Sequence, residues 1–214
     1  MTKLELARHR LLEELGRTIQ DKQVLEAMEK VPRECFVPPA YHEMAYEDIP
    51  LAIGEGQTIS QPFIVALMTQ ALSLTGQECV LEIGTGSGYQ AAILSHLARR
   101  VITVERFVDL QASAEKRLLE LGIANVEVHV AGEKLGWPEG APYDAIIVTA
   151  AAPYVPQSLL DQLKDGGILV IPVGRRDHQD LLVVKKHGER IARSSLGGCR
   201  FVPLVGSEAW HENQ

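Results

Sequence analysis

The sequence lacks several features that mark particular classes of protein. Its three cysteines, Cys35, Cys79 and Cys199, stand apart and form no CxxC or Cys/His cluster, so the spacing of a zinc site is missing. Such a sparse, odd count fits a reducing compartment. The longest uncharged apolar stretch, residues 145–153, is far shorter than the ~20 residues that span a bilayer, and charged residues interrupt the N-terminal leucines where a signal peptide would be apolar. We therefore expect a cytoplasmic protein without a metal site.

An excess of positive charge is also lacking. The 214 residues carry 28 acidic and 21 basic side chains, which gives a formal net charge of −7. Proteins that grip nucleic acid through its phosphates usually present a basic face, so this balance argues against a nucleic-acid partner. Apolar residues make up 46% of the chain and charged residues 23%, which is ordinary for a globular protein and argues against disorder. A chain of this length can form one domain with a full core.

From residue 79 onwards, short apolar runs alternate with helical patterns. Strands that are apolar throughout and separated by helices are typical of a parallel sheet covered on both faces. The predicted strands are Cys79–Ile83, Val101–Glu105, Val126–Val130, Tyr143–Thr149 and Ile168–Val173, and the predicted helices are Tyr89–Leu97, Val108–Leu121 and Pro156–Leu163.

The two ends of the chain follow different patterns. Residues 1–30 hold two amphipathic helical patterns, and a segment rich in Pro, Gly and aromatic residues (32–59) leads to a third helix, Gln61–Leu74. So long a connecting segment is usually functional or disordered, and its apolar content favours an ordered, functional one. After Gly174, two β-like runs at 181–186 and 200–205 predict an antiparallel sheet edge.

The sharpest local signal is a glycine-rich turn at residues 84–88, which follows a buried strand and precedes a helix. Its pattern is GxGxG, preceded by Glu82. Glycines in such a turn let the backbone approach a ligand beyond the carboxyl ends of the strands. A dinucleotide fingerprint would need a third glycine at the position of Tyr89, so the pattern disfavours a nicotinamide cofactor.

A second signal is Glu105, which ends the next strand 19 residues after Gly86. A carboxylate in this place accepts hydrogen bonds from the ribose hydroxyls of a bound nucleoside. The alternative interpretation is a tight turn plus a solvated glutamate at the end of a strand. Because the two signals occur in order and at this spacing, they favour a nucleoside-binding site.

These residues resemble the first motif of class I S-adenosylmethionine methyltransferases, and the chain is similar within that class to the protein-L-isoaspartate O-methyltransferase family. The resemblance extends from about Arg33 to Gly206. Residues 57–62 (Gln-Thr-Ile-Ser-Gln-Pro) are quite specific to this family, whereas the first motif occurs in many methyltransferases. The remaining stretches that carry the resemblance are 46–48 (Tyr-Glu-Asp), 142–146 (Pro-Tyr-Asp-Ala-Ile), 150–153 (Ala-Ala-Ala-Pro), 156–167 and 201–204 (Phe-Val-Pro-Leu).

The resemblance implies a Rossmann-like α/β fold and an enzyme of protein repair. The fold is a doubly wound, mostly parallel sheet with helices on both faces, an antiparallel edge near the C-terminus and an N-terminal helical extension. We expect one domain, 1–214, in which 1–60 form the N-terminal helices and a substrate-side loop, 61–175 the cofactor-binding core and 176–214 a C-terminal β extension. The implied reaction moves a methyl group from S-adenosylmethionine to the α-carboxyl of L-isoaspartyl residues, leaves S-adenosylhomocysteine and initiates repair through a succinimide.

The resemblance also implies the site residues. Ser60 is the catalytic hydroxyl, and substrate contacts come from Thr58, Ser60, Val202, Pro203 and Leu204. Where the family usually has Gly-Asp-Gly after the third strand, this chain reads Ala131-Gly132-Glu133. The cofactor-binding residues that we expect are Gln57, Thr58, Ile59, Glu82, Gly84, Thr85, Gly86, Ser87, Gly88, Glu105, Gly132, Glu133, Thr149 and Ala150.

Two of these assignments have structural alternatives. Ser60 stands just before Gln61-Pro62 and a helix, where serine is a good N-cap and proline suits the first turn. The segment 202–204 either lies along an extended substrate peptide or is an ordinary edge strand that Pro203 protects from further pairing.

Three rival functions remain to be weighed against this one. A methyltransferase acting on a nucleic-acid base or a metabolite is disfavoured because an Asn/Asp-Pro-Pro-aromatic motif is missing at residues 149–153 and the chain is acidic. A nicotinamide oxidoreductase is disfavoured by Tyr89, and a binding module without turnover is the third. The expected partners are isoaspartyl-containing proteins and peptides, without nucleic acid or membrane, and we expect a monomer.

Overall fold

A seven-stranded sheet forms the centre of the structure, a computed structural model that describes residues 2–211. Met1 and residues 212–214, the outer ends of the expected three-part domain, lie outside the described residues. A separate two-stranded hairpin stands before the sheet. The strands are β1 (Leu51–Gly54), β2 (Gln57–Ile59), β3 (Cys79–Ile83), β4 (Arg100–Glu105), β5 (Val126–Val130), β6 (Tyr143–Val148), β7 (Leu163–Gly174), β8 (Gln179–His187) and β9 (Arg190–Cys199).

The order of strands in the sheet is β5-β4-β3-β6-β7-β8-β9. Strands β3 to β7 run parallel, and β8 and β9 pair antiparallel to their neighbours. The chain moves outward from β3 to β5 and then crosses back to β6 on the other side of β3. In an open α/β sheet, a ligand binds at the carboxyl ends of the strands where the order reverses, and here that point lies between β3 and β6.

In residues 2–211, six α-helices surround the sheet, and all but one belong to the same face. They are α1 (Lys3–Leu15), α2 (Lys22–Lys30), α3 (Pro62–Ala71), α4 (Tyr89–Ser95), α5 (Val108–Glu120) and α6 (Gln157–Gln162). Because side chains alternate along a strand, Val80 of β3 joins the core under α1–α5, whereas Leu81 joins a second core under α6. The expected doubly wound, mostly parallel fold with helices on both faces and an antiparallel C-terminal edge is confirmed.

The N-terminal segment is ordered by capping and short-range pairing. Thr2 and Glu5 form a capping box at α1, and the Asp21 carboxylate caps α2. The segment 32–59 holds two 3-10 turns and the β1–β2 hairpin, so its prediction as an ordered segment is confirmed. In the described part of the chain, every helix is too short or too polar to span a membrane.

The prediction of a strand at Arg200–Val205 is wrong, because the outer strand is β9, Arg190–Cys199. β9 is exposed on both faces and contains Gly197 and Gly198, so its composition resembles that of a loop. Residues 201–205 are apolar but form only isolated bridges, and Pro203 has no N–H to donate. Smaller differences concern boundaries: β7 begins at Leu163 rather than Ile168, and α3 ends at Ala71 rather than Leu74.

Candidate active site

A cleft opens at the carboxyl ends of β3, β4 and β6, where the strand order reverses. It encloses about 1010 Å³ of empty space, open solvent included. Three segments that are far apart in the sequence form its walls: residues 57–60, which include β2, the glycine turn after β3, and residues 202–207 near the C-terminus. The fold therefore brings the predicted N-terminal, central and C-terminal site residues to one place.

The glycine turn owes its shape to left-handed backbone at Gly84, Gly86 and Gly88, whose φ angles are +97°, +52° and +87°. A Cβ on Gly84 would overlap the Oγ1 atom of Thr149. The Thr149 hydroxyl lies 2.6 Å from the carbonyl oxygen of Gly84, to which it donates a hydrogen bond. Thr149 thus fixes the turn from the end of β6, and this contact requires glycine at position 84.

The Glu105 carboxylate stands at the end of β4 and is 5% exposed. Its Oε2 atom accepts a hydrogen bond from the N–H of Gly86 at 2.8 Å, and Oε1 accepts from the N–H groups of Arg106 and Phe107 at 2.8 and 3.0 Å. An ionised carboxylate has about four acceptor positions, so Oε2 retains capacity for a ligand hydroxyl. The three bonds also hold the carboxylate against the glycine turn.

Glu82, in the middle of the buried strand β3, is fully buried, and neither carboxylate oxygen has a hydrogen-bond partner among the described residues. Burial raises the pKa of this carboxyl to about 8, and the negative charge of Glu105 adds to the rise. The neighbouring Thr103 hydroxyl partly offsets this rise in pKa, and it also pairs with Thr85 Oγ1 at 2.7 Å. Glu82 lines the cleft, so an unsatisfied acidic group faces the space where a ligand would sit.

Ser60 lies on the cleft wall just before α3, and the structure does not place it at the N-cap of that helix. The N-cap is Gln61, and no side-chain cap comes from it. Among residues 2–211 no hydrogen bond to the Ser60 hydroxyl is found, whereas its carbonyl oxygen accepts one from Arg33. The hydroxyl is therefore available to a ligand, which decides against the capping alternative.

Comparison with known proteins identifies the family. The family model for protein-L-isoaspartate(D-aspartate) O-methyltransferase matches residues 7–209. The chain belongs to this family.

Curated relatives agree over nearly the full length. A protein-L-isoaspartate O-methyltransferase from Syntrophobacter fumaroxidans is 54% identical over 98% of this chain and 99% of its own, and one from Trichlorobacter lovleyi is 52% identical over both whole chains. A solved protein-L-isoaspartate O-methyltransferase structure matches with a TM-score of 0.83 and 32% identity, covering 94% of this chain and 67% of its own. A Plasmodium falciparum structure described as a member of this family, in complex with S-adenosyl-L-homocysteine, matches with a TM-score of 0.77 and 28% identity over 90% of this chain and 95% of its own.

Membership in the protein-L-isoaspartate O-methyltransferase family makes the chain a methyltransferase that uses S-adenosylmethionine. The residues present fit this cofactor. The buried carboxyl of Glu82 is protonated at neutral pH in the ligand-free protein and would ionise beside a cationic ligand, and the open acceptor on Glu105 suits ribose hydroxyls. Among the described residues no group of three His, Cys, Asp or Glu side chains could hold a metal ion.

All but one of the residues predicted for the family's site line the cleft. The exception is Gly88, which lies behind the turn, where a Cβ would be 3.3 Å from the Cβ of Ala114 in α5. The predicted residues that line the cleft are Gln57, Thr58, Ile59, Ser60, Glu82, Gly84, Thr85, Gly86, Ser87, Glu105, Gly132, Glu133, Thr149, Ala150, Val202, Pro203 and Leu204.

The cleft also includes residues that the sequence did not single out. Phe107 and Leu135 are apolar lining residues, and Gly206 and Ser207 close the C-terminal wall. Phe107 could have been found, since it stands two residues after the acid that ends β4. The others carry no local signal, because only the fold brings their segments to the site.

The segment 202–204 is partly paired, which modifies the expectation of an exposed edge. The N–H of Ala151 donates a hydrogen bond to the carbonyl of Val202, and the carbonyl of Ala151 accepts one from the N–H of Leu204, both at 2.8 Å. No hydrogen bond to the Val202 N–H or the Pro203 carbonyl is found in the described part of the chain. One side of the segment thus pairs with Ala151 just after β6, and the other side keeps the Val202 N–H as a donor and the Pro203 carbonyl as an acceptor.

Proposed function

We propose that this chain transfers the methyl group of S-adenosylmethionine to the α-carboxyl of L-isoaspartyl residues in damaged proteins and peptides. The observation that carries the proposal is the Ser60 hydroxyl, for which no hydrogen-bond partner is found within residues 2–211 and which lines the same cleft as Glu82 and Glu105. A cofactor bound against the two acidic residues would lie beside a hydroxyl that is free to hold a substrate carboxylate.

The proposed cofactor contacts follow from these positions. Glu105 would accept hydrogen bonds from the ribose hydroxyls, and Glu82 would lose its proton beside the positively charged ligand and then offset that charge. The turn 84–87 would contact the ligand through its backbone, with Thr149 and Ala150 behind it, while Gly88 packs the turn against α5. Residues 57–59 would close one side of the cleft, and Gly132 and Glu133 the opposite side.

When bound, the cofactor supplies a methyl group on a positively charged sulfur, which is already activated for transfer. A substrate carboxyl has a pKa near 4 and is ionised at neutral pH, so no general base is needed. The task of Ser60 is to donate a hydrogen bond to one carboxylate oxygen and orient the other towards the methyl group. Correct alignment of this kind contributes up to about 7–11 kcal/mol in favourable cases.

The substrate backbone would lie along the segment 202–204. The Val202 N–H and the Pro203 carbonyl form a donor and acceptor pair suited to an extended peptide. Such pairing reads backbone rather than side chains, which suits an enzyme that acts on isoaspartate in many sequences. The methoxy group of the ester that forms leaves more readily than the oxygen of a carboxylate, so the backbone nitrogen of the next residue attacks the ester carbonyl and releases methanol. Water then opens the resulting succinimide partly to normal aspartate.

The reaction is tested with methyl-labelled S-adenosylmethionine and two peptides that differ only in an isoaspartyl or a normal aspartyl linkage. We expect label to be transferred to the isoaspartyl peptide alone. Equal labelling of the two peptides, or of neither, would contradict the proposed activity.

The role of Ser60 is tested separately by S60A. We expect its kcat for the isoaspartyl peptide to fall about tenfold to hundredfold, because the substrate carboxylate loses its orienting donor. Calorimetric affinity for S-adenosylhomocysteine should stay within about twofold, as expected for a change outside the cofactor contacts. Undiminished turnover would remove Ser60 from the site without removing the function.

We further propose that the enzyme works in the cytoplasm as a monomer and binds neither nucleic acid nor membrane. All three cysteines are free, which suits a reducing compartment, and the net charge of −7 disfavours polyanionic partners. Sedimentation of the purified protein checks the monomer.

A further inference from the structure

Helix α3 begins beside the cleft without a cap from its own sequence. The first N–H groups of a helix have no intrahelical partner, and a Ser, Thr, Asp or Asn at the N-cap usually satisfies one of them. Here the N-cap is Gln61, which provides no such bond, and no hydrogen bond between the Ser60 hydroxyl and this helix is found among residues 2–211. Some other group must therefore serve the start of this helix.

That group is Asp48, fifteen residues earlier in the chain. Its Oδ1 atom accepts a hydrogen bond from the N–H of Phe63 at 2.7 Å, and its Oδ2 atom accepts from Nε2 of Gln61 at 2.8 Å. A carboxylate at a helix N-terminus is also favoured by the helix dipole. Asp48 thus caps α3 from a distance and fixes Gln61 and Phe63, the first and third residues after Ser60.

Arg33 fixes Ser60 from the other side. The Nη2 atom of this fully buried side chain donates to the carbonyl of Ser60 at 2.9 Å and approaches the carbonyl of Ile49 at 3.4 Å. Its guanidinium carbon lies 4.9 Å from the ring centroid of Tyr89, an aromatic face that stabilises a buried cation. The Ser60 backbone is therefore held on both sides, and only its side chain remains uncommitted.

We propose that Asp48 and Arg33 are positioning residues for Ser60: Asp48 takes over the capping of α3 and Arg33 anchors the Ser60 carbonyl, so that the hydroxyl stays free and fixed for the substrate carboxylate. This inference rests on the proposed role of Ser60. A loss of the Asp48 carboxylate leaves the N–H of Phe63 without its acceptor, and the nearby Ser60 hydroxyl becomes a competing cap.

The test is a double-mutant cycle on kcat for an isoaspartyl peptide, with D48A, S60A and the combination. We expect D48A to lower kcat about tenfold or more, as misplacement of a reacting group does. In the S60A background the same substitution should change kcat by less than about twofold, because the group through which it acts is gone. A purely structural role would give the same factor in both backgrounds, and that result would overturn the inference.

A matched control is D21A, which removes the carboxylate that caps α2 by accepting from the N–H of Gln23 at 2.9 Å. We expect D21A to lower the melting temperature as D48A does but to leave kcat unchanged. If D48A does not fold, the same cycle with D48N and with R33K applies, with losses of about threefold to tenfold in the wild-type background. Losses of equal size in the S60A background would again overturn the inference.

The outcomes separate this inference from the proposed function. Wild-type protein that labels the isoaspartyl peptide establishes the reaction whatever the cycle shows. S60A with full turnover overturns both the role of Ser60 and the positioning by Asp48 and Arg33, and leaves the reaction in place.

Discussion

Glu82 is retained at a cost to the stability of the ligand-free fold. Its carboxyl is fully buried without a hydrogen bond among the described residues, and burial raises its pKa to about 8 from an ordinary value of 4.5. The folded state therefore binds a proton that the unfolded state has already lost between these pH values. The stability that this bound proton contributes is fully present below pH 4.5 and is lost as the pH rises towards 8. A buried carboxyl in a cleft that lowers the stability of the ligand-free protein indicates a functional position.

We predict that E82Q stabilises the ligand-free protein increasingly as the pH rises. A shift of one pKa unit corresponds to about 1.4 kcal/mol, so the variant should gain about 3 kcal/mol over wild type between pH 5.5 and 8.5. Denaturant unfolding of both proteins at the two pH values measures this difference. A constant gap between wild type and variant would show that Glu82 is ionised throughout, contrary to the burial argument.

Gly84 and Gly76 provide a matched pair for the glycine turn. Their φ angles are +97° and +96°, so alanine carries the same backbone strain at each position. Only at Gly84 would the new Cβ meet another group, the Thr149 hydroxyl, whereas nothing lies within 4 Å at Gly76.

We predict that G84A weakens binding of S-adenosylhomocysteine about tenfold or more, since overlap of this kind costs about 1–3 kcal/mol and displaces the turn. G76A should lose about 1–2 kcal/mol of unfolding free energy from strain alone and bind normally. Isothermal titration of both variants measures the affinities. Equal affinities would mean that the turn adapts to a side chain at position 84.

At the scale of single residues, the sequence was enough to predict which residues form the cofactor site, but not which residues contact one another. The glycine turn and Glu105 were found from spacing, because a strand, a tight turn and a helix follow one another directly. The capping of α3 by Asp48 could not be found, since local sequence favoured Ser60 and only the hairpin before α3 brings Asp48 to the helix. Arg33 likewise carries no local signal, because its partner, the Ser60 carbonyl, is 27 residues away.

At the scale of elements, prediction succeeded where burial is uniform. Strands β3, β4 and β6 are buried almost throughout, and their continuous apolar runs gave boundaries within one residue of the structure. β9 was missed because an edge strand exposed on both faces has no reason to be apolar. A strand was predicted at 200–205 because residues 201–205 are apolar. Their partial burial comes from tertiary packing beside the segment that follows β6, not from a sheet ladder.

The parallel strands are also joined at the end opposite the cleft. The Oδ2 atom of Asp144 at the start of β6 accepts from the N–H of Cys79 in β3 at 2.8 Å, and Oδ1 accepts from Nζ of Lys164 in β7 at 2.6 Å. Burial alone would raise the pKa of Asp144, but the Cys79 N–H and the Lys164 ammonium together lower it. The carboxylate thus ties three neighbouring strands, and its contribution to stability falls as the pH drops through the usual range of aspartate.

We predict that D144A lowers the free energy of unfolding by about 1–3 kcal/mol, because a buried N–H loses its charged acceptor. Its kcat should be unchanged, since the substitution lies at the amino ends of the strands. D161A is the control: among the described residues, Asp161 accepts only an exposed hydrogen bond from Gln157, and surface changes of this kind stay within about 0.5 kcal/mol. A large loss of activity in D144A would contradict the expectation that the Asp144 hydrogen bonds stabilise the sheet without affecting the cleft.

At the scale of the whole molecule, the site exists because the strand order reverses beside β3. The reversal places the ends of β3, β4 and β6 around one cleft and leaves it open to segments from both ends of the chain. Parallel α/β topology followed from the alternation of apolar runs and helices, but which segments close the cleft did not. The register of residues 202–207 against the end of β6 depends on a few hydrogen bonds that no local pattern encodes.

This arrangement predicts a pattern of protection in hydrogen exchange. A ligand that binds across the cleft should slow exchange together in three segments separated by up to 150 residues: 57–60, 84–88 and 202–207. A ligand that binds only the folded state stabilises every segment that must be folded to contact it, so the amides of these segments exchange more slowly. We expect S-adenosylhomocysteine to protect these segments and to leave β9, at the far edge of the sheet, unchanged. Mass spectrometry of the exchanged peptides gives the result directly, with G84A as the control that shows little protection. Protection confined to 84–88 would mean that the segments 57–60 and 202–207 do not take part in the site, because a ligand held by the glycine turn alone leaves these two walls free to exchange.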